Sequence, residues 1–154
     1  MNINSLNVST TEVNGVSRFT IVVESTKEKI IKVVNHINKL IDVLAAFLYE
    51  EHEIYYQEIA LYKLSSKIFL KGDLVEKIII RKYGAKILKI EKDHIIIQKT
   101  GTKVGTQKLY DELKKFGEIL EFARSGRVAL SKKKRKTVNF IKQLEKTKSN
   151  KLNI

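Results

Sequence analysis

Three histidines are the residues of this chain best suited to acid–base or metal chemistry at neutral pH. His36, His52 and His94 are far apart in the sequence, and only His52 has flanking carboxylates, in the acidic run Glu51–Glu53. A metal centre needs three or four ligands at matched spacing, so this run predicts a solvated linker. The chain has no cysteine, which removes thiolate ligands and cysteine nucleophiles. The sequence therefore predicts no catalytic residues and no metal site.

Two further segments carry weaker signals for ligand binding. The stretch Gly101–Gly105 precedes a predicted helix and could cradle an anion, but it lacks a full phosphate-loop pattern, which favours an ordinary turn. The pair Tyr55–Tyr56 could stack a nucleic-acid base, but no second aromatic platform accompanies it. Neither segment indicates a nucleotide site.

The net charge of +13 is concentrated near the end of the sequence given. Nine basic residues and one acidic residue lie between Ser131 and Ile154, and lysine far outnumbers arginine in the chain as a whole. Lysine lacks the forked guanidinium that reads phosphates and bases, so we expect a mostly solvated basic tail with a short helix over Thr137–Leu144. A small basic nucleic-acid-binding module stays open as the alternative function.

The rest of the composition indicates a folded protein, since hydrophobic residues make up 43% of the chain. The apolar runs are far shorter than the roughly 20 residues of a membrane span. No secretory signal pattern follows Met1. We therefore expect a cytoplasmic protein.

The first part of the chain predicts a ββαβ module. Its helix is expected to open with a capping box, in which Ser25 and Glu28 satisfy each other's backbone amides. An Asn-Gly pair at positions 14 and 15 predicts the hairpin turn before the second strand. The three predicted strands are Asn2–Val8, Val16–Glu24 and Asp42–Tyr49.

The second part predicts a βαββαβ module, the ferredoxin-like order. Its predicted elements are strand Tyr56–Leu64, helix Gly72–Tyr83, strands Ala85–Ile90 and His94–Gln98, helix Thr106–Phe116 and strand Glu118–Ala123. The predicted fold class is thus α+β, with two modules in tandem of which the first is truncated. The predicted bounds are 1–50 for the first domain, 51–55 for the linker, 56–130 for the second domain and 131–154 for the tail.

The first module has the plan of the second without its opening strand and helix. The predicted strand Val43–Leu48 then has no partner in its own domain, which leaves two bare edges that native proteins usually cover. Either residues upstream of Met1 are missing, or another chain completes the sheet. We favour the first explanation.

Four stretches of the chain, in order and at matching spacing, resemble one protein family. They are NINSL at Asn2–Leu6, SRFTIVVE at Ser17–Glu24, NKLIDVL at Asn38–Leu44 and ARSGRVALS at Ala123–Ser131. Together they look like the small, regulatory subunit of acetolactate synthase, also called acetohydroxyacid synthase. The resemblance spans about residues 2–131.

This resemblance implies an ACT domain followed by a second ferredoxin-like domain, and a homodimer formed through the ACT domains. It also implies a partner, the catalytic large subunit, which condenses pyruvate with pyruvate or 2-oxobutyrate toward valine, leucine and isoleucine. The regulatory subunit activates that partner and confers feedback inhibition by valine or a related amino acid. Thiamine diphosphate, Mg²⁺ and FAD are expected on the large subunit, and no cofactor is expected on this chain.

The resemblance also implies an effector site between two ACT domains, and it assigns Asn2 and Ile3 to that site. In the family a glycine-containing loop after the first strand also holds the effector, and this loop is absent from the sequence given. An amino-acid zwitterion needs several fixed donors and acceptors at once, so we expect partner binding to be retained and the valine pocket to be lost or incomplete. A free-standing ACT sensor is a third possibility.

Overall fold

The computed structural model divides the chain into two units. Unit 1 contains Met1–Tyr55 and Ala129–Ile154, and unit 2 contains Tyr56–Val128. Residues predicted as linker and tail thus belong to unit 1. The structure describes residues 1–71, 79, 81–116, 119–133 and 138–144. No helix within these ranges is long and apolar enough to span a membrane.

Unit 1 opens with an antiparallel hairpin of strands β1 (Asn2–Thr10) and β2 (Ser17–Glu24). Both strands were predicted, and both are confirmed. Gly15 has φ +76° in the connecting turn, a conformation that glycine adopts without steric penalty. The positive φ of Gly15 therefore explains why the Asn-Gly pair predicts a turn here.

Helix α1 (Lys27–Ile37) begins after Thr26. Thr26 is extended and its carbonyl accepts the first helical hydrogen bond, from the Ile30 amide at 3.1 Å. No side chain caps this end, so the predicted capping box of Ser25 and Glu28 is wrong. The cap lies one residue later because Thr26 is the last residue with non-helical dihedral angles.

Segment 42–49 is not a strand, which corrects the predicted third strand of the first module. The Asn38 carboxamide instead binds both backbone groups of Ala46, accepting from its N–H at 2.6 Å and donating to its carbonyl at 3.0 Å. A side-chain amide thus takes the two hydrogen bonds that a neighbouring strand would make there. The described part of this module is ββα followed by an irregular segment.

The second module is confirmed as ferredoxin-like. Its sheet runs in the order β4-β5-β3-β6, with antiparallel pairing throughout this path, and β7 also pairs with β3. This is the order expected of a split βαβ module. The elements are β3 (Ile54–Ser65), β4 (Lys86–Ile90), β5 (His94–Gly101), α2 (Lys103–Phe116), β6 (Ile119–Arg124) and β7 (Val128–Ser131).

The predicted helix Gly72–Tyr83 lies largely outside the described residues. A short 3-10 helix, Ser66–Lys71, follows β3. Gly84 has φ +61°, which agrees with the left-handed helix end expected at that glycine. Residues 138–144 form helix α3, as the tail periodicity predicted.

The core of unit 2 lies where α2 covers one face of the sheet. Its centre is Tyr62, which is fully buried and donates a hydrogen bond from its hydroxyl to the Thr106 carbonyl at 2.7 Å. The buried apolar side chains are Ala60, Tyr62, Leu64, Ile68, Ile79, Ala85, Ile95, Ile97, Leu109 and Leu113. Burial raises the pKa of Tyr62 from 10.0 to about 12, against a smaller lowering effect of Arg124.

This pKa predicts that unit 2 loses stability as the pH rises from 10 to about 12. Below pH 10 the phenol is neutral in both states, whereas above it the unfolded chain ionises first, and this favours unfolding by about 3 kcal/mol at the end of the window. Urea unfolding of the wild type and of Tyr62→Phe across pH 8–12 measures this loss, on the order of a few kcal/mol. The wild type should lose more stability than the variant, and equal pH slopes would contradict the assignment.

Candidate functional site

The hairpin of unit 1 exposes its more apolar face. Leu6 lies opposite Ile21 and Val8 lies opposite Phe19, and these four side chains form what we call the hairpin face. They are 44–62% exposed. The other face of the hairpin is half-buried although much of it is polar, with Ser5, Asn7 and Thr20.

Unit 1 has almost no apolar core to set against this exposed face. Among its described residues only Ile141 is buried, at 8% exposure, and α1 has no buried residue. Contiguous exposed apolar surface of this kind marks interaction sites in soluble proteins. The hairpin face is therefore the candidate functional surface of unit 1.

The predicted effector residues lie at the start of β1. Asn2 pairs with Glu24 and Ile3 pairs with Val23, and a register shift follows before Ser5. Both residues are exposed, which leaves their side chains accessible to a ligand. Their role in effector binding stays a prediction.

The histidines are dispersed, and they form no common site. His94 Nδ1 lies 2.7 Å from the Asp93 carboxylate, a hydrogen bond that lowers the pKa of Asp93. His36 is exposed in the last turn of α1. Within the described ranges no three histidine or carboxylate side chains are placed to hold a metal ion.

The acidic run Glu51–Glu53 is a 3-10 turn with a capping box. The Glu53 carboxylate accepts a hydrogen bond from the Glu50 amide at 3.0 Å, and this bond lowers the pKa of Glu53. Lys27 from α1 lies 2.8 Å from the Glu50 carboxylate and lowers the pKa of Glu50. The Glu53 carboxylate is therefore hydrogen-bonded to a backbone amide, and the Glu50 carboxylate is paired with a lysine.

The two segments with weak ligand signals both have structural roles. Thr102 caps α2, because its hydroxyl accepts from the Gly105 amide at 3.2 Å and its carbonyl from the Thr106 amide at 2.9 Å. The predicted loop Gly101–Gly105 is thus the end of β5 and the first turn of α2. Lys132 and Arg127 lie over the rings of Tyr55 and Tyr56, at 5.1 Å and 3.9 Å respectively, where a base would have to stack.

A buried ionic network in unit 2 was not predicted. The Glu58 side chain is 6% exposed and lies 3.4 Å from Arg124 Nε and 3.3 Å from Arg127 Nε. Ser125 between them accepts a hydrogen bond from the Ile59 amide at 2.9 Å. The stretch Ala123–Ser131 contains both arginines, and the pairing of β3 with β6 and β7 brings Glu58 to them.

These elements define an α+β protein whose second unit is ferredoxin-like, and the sequence comparisons give the class of each part. Residues 1–45 match the family profile described as an AHAS small subunit-like ACT domain. Residues 57–133, half of the chain, match the profile described as the small subunit of acetolactate synthase. The chain belongs to the acetolactate synthase small-subunit family, as the sequence resemblance predicted.

Individual relatives agree with this assignment. A probable acetolactate synthase small subunit from Archaeoglobus fulgidus is 33% identical over 129 residues, covering 84% of this chain and 79% of that one. The acetolactate synthase small subunit from Bacillus subtilis is 33% identical over 132 residues, covering 85% and 75%. The crystal structure of the small subunit from Thermotoga maritima shares the fold, with a TM-score of 0.74 at 23% identity over 87% of this chain and 82% of that one.

Proposed function

We propose that this chain is the regulatory subunit of acetolactate synthase in branched-chain amino acid biosynthesis, and that it binds and activates the catalytic large subunit. The observation that carries the proposal is the hairpin face, together with membership of the small-subunit family. A cytoplasmic location belongs to the same proposal.

The hairpin face can supply the free energy of such an association. Burying an aliphatic or aromatic side chain fully contributes about 1.5–3 kcal/mol, and four large side chains lie together on this face. Part of this gain offsets the loss of translational and rotational freedom on binding. A partner with a matching apolar surface would thus bury the hairpin face.

The finer parts of the proposal concern the effector and the assembly. We expect the valine pocket to be lost or incomplete in the sequence given; if it is intact, valine or a related amino acid would bind where two first units meet in a homodimer, with Asn2 and Ile3 contributing from β1. An effector shifts an equilibrium only when its affinity differs between the two states, so valine would favour one arrangement of the paired units. Thiamine diphosphate, Mg²⁺ and FAD would be bound by the large subunit.

Co-purification with the large subunit at low and high salt tests the proposed association. An apolar contact should survive about 0.5 M salt, because screening at that ionic strength weakens ionic contacts far more than apolar burial. Retention at both salt concentrations is the expected result. No retention at either would contradict the proposal, and salt-sensitive capture of RNA in its place would favour a basic binding module.

Titration of the chain with valine, followed by calorimetry, tests the effector part separately. Heat of binding that disappears in Asn2→Ala is expected if β1 contributes to the pocket, since the side-chain amide supplies both a donor and an acceptor. No heat with the wild type at millimolar valine would contradict valine binding by this chain on its own.

A further inference from the structure

Helix α3 packs on the irregular segment of unit 1. The Phe140 ring lies 5.3 Å from the Phe47 ring, centroid to centroid, at an interplanar angle of 55°, and Phe47 also contacts Tyr49 at 6.1 Å. Ile141, next to Phe140 on α3, is the buried residue of unit 1 noted above. This ring contact therefore involves a residue from a region predicted as a solvated tail.

This contact lies outside both matched regions of the family. The profile matches cover residues 1–45 and 57–133, so Phe47 lies between them and α3 lies after them.

The chain is anchored just before it reaches α3. The Lys132 amide donates to the Glu53 carbonyl at 2.9 Å, and the Lys132 ammonium donates to the His52 carbonyl at 2.7 Å. Lys133 lies 3.6 Å from the Glu53 carboxylate. These contacts bring the basic segment to the acidic turn that directly follows segment 42–49.

Side-chain contacts hold segment 42–49 in the part of the chain that the structure describes. Segment 42–49 forms no sheet ladder, and the Ala46 backbone is held by the Asn38 side chain. The ring contact between Phe47 and Phe140 adds a second attachment, one residue after Ala46.

We propose that α3 is a strap that holds segment 42–49 in place and so completes unit 1. Its functional consequence rests on the proposed function: unit 1 presents the hairpin face to the large subunit, and an ordered unit 1 binds it more tightly. The strap itself is a statement about this chain alone and does not depend on any partner.

The double variant F140A/I141S tests the strap, with Lys142→Ala as the matched control, because Lys142 is exposed on the same helix. Chymotrypsin cuts after Phe47 and Tyr49, and its rate reports how often this segment opens. The double variant should be cut at least about tenfold faster than the wild type, and the control at the wild-type rate. Equal rates for all three chains would overturn the strap.

Ring-to-ring nuclear Overhauser effects between Phe47 and Phe140 give an independent reading in the wild-type chain. Their presence is expected at the observed ring separation, and their absence would overturn the contact.

Titration of the large subunit separates the strap from its functional consequence. The concentration that gives half-maximal stimulation should be at least about tenfold higher for the double variant than for Lys142→Ala. If the double variant is cleaved faster but needs the same concentration for half-maximal stimulation, the strap stands and its proposed effect on large-subunit binding is overturned. No stimulation by any chain, including the wild type, would reject the proposed function, while the cleavage result would still decide the strap.

Discussion

A Phe19→Asp variant should lose at least about tenfold of its affinity for the catalytic large subunit while unit 1 keeps its fold. Phe19 is 62% exposed in the unbound chain, so a carboxylate there stays hydrated and hardly disturbs folding. In a complex the same carboxylate would be buried against an apolar surface, which is strongly unfavourable. Affinity is measured as the chain concentration that gives half-maximal stimulation of acetolactate formation.

Ser9→Asp is the matched control for this variant. Ser9 is also exposed and pairs with Arg18 on the other face of the same hairpin. The substitution therefore adds the same negative charge away from the hairpin face. The control should retain wild-type affinity. Equal affinities for Phe19→Asp and Ser9→Asp would contradict the docking role of the hairpin face.

Glu58→Gln should destabilise unit 2 by about 3 kcal/mol. Two guanidinium groups lie within 3.4 Å of the Glu58 carboxylate, and a neutral amide would leave both cations without their buried counter-charge. Arg124 and Arg127 retain some solvent exposure, which places the expected value at the lower end of the range for buried ion pairs.

Urea unfolding followed through the amide signals of β5 measures the stability of unit 2 for this variant. Glu121→Gln is the control, because Glu121 is exposed on β6 and outside the network, and it should change stability by less than about 0.5 kcal/mol. Adding Arg127→Met to Glu58→Gln should recover part of the loss, since one stranded cation is removed. A loss below about 1 kcal/mol for Glu58→Gln would contradict the network's role.

Strands of unit 2 could be predicted because their hydrophobic period matches their environment. β3 alternates between core and outer face, with Tyr62 and Leu64 inward, and this period of two identifies a half-buried strand from sequence alone. The order of elements then determines the ferredoxin-like topology. Segment 42–49 misled the same reasoning, because its apolar run, with Val43 and two aromatic residues, satisfies strand propensity although no described strand pairs with it.

Non-local contacts explain what the sequence could not reveal about the sites. Glu58 and Arg127 are 69 positions apart, so only the folded sheet identifies them as partners. The alternation in β1 and β2 indicates two faces but not which of them is covered. The capping of Ala46 by the Asn38 side chain is a tertiary choice that competes with strand pairing, and no local pattern signals it.

The measurement that tests the central claim most directly is acetolactate formation by a fixed amount of the cognate large subunit, titrated with this chain. Regulatory-subunit function predicts a saturable rise in activity, with the Phe19→Asp titration shifted to higher concentration and the Ser9→Asp titration unchanged. Activity that stays flat over concentrations up to about 100 μM, where a specific contact would be saturated, would contradict the claim that this chain binds and activates that enzyme.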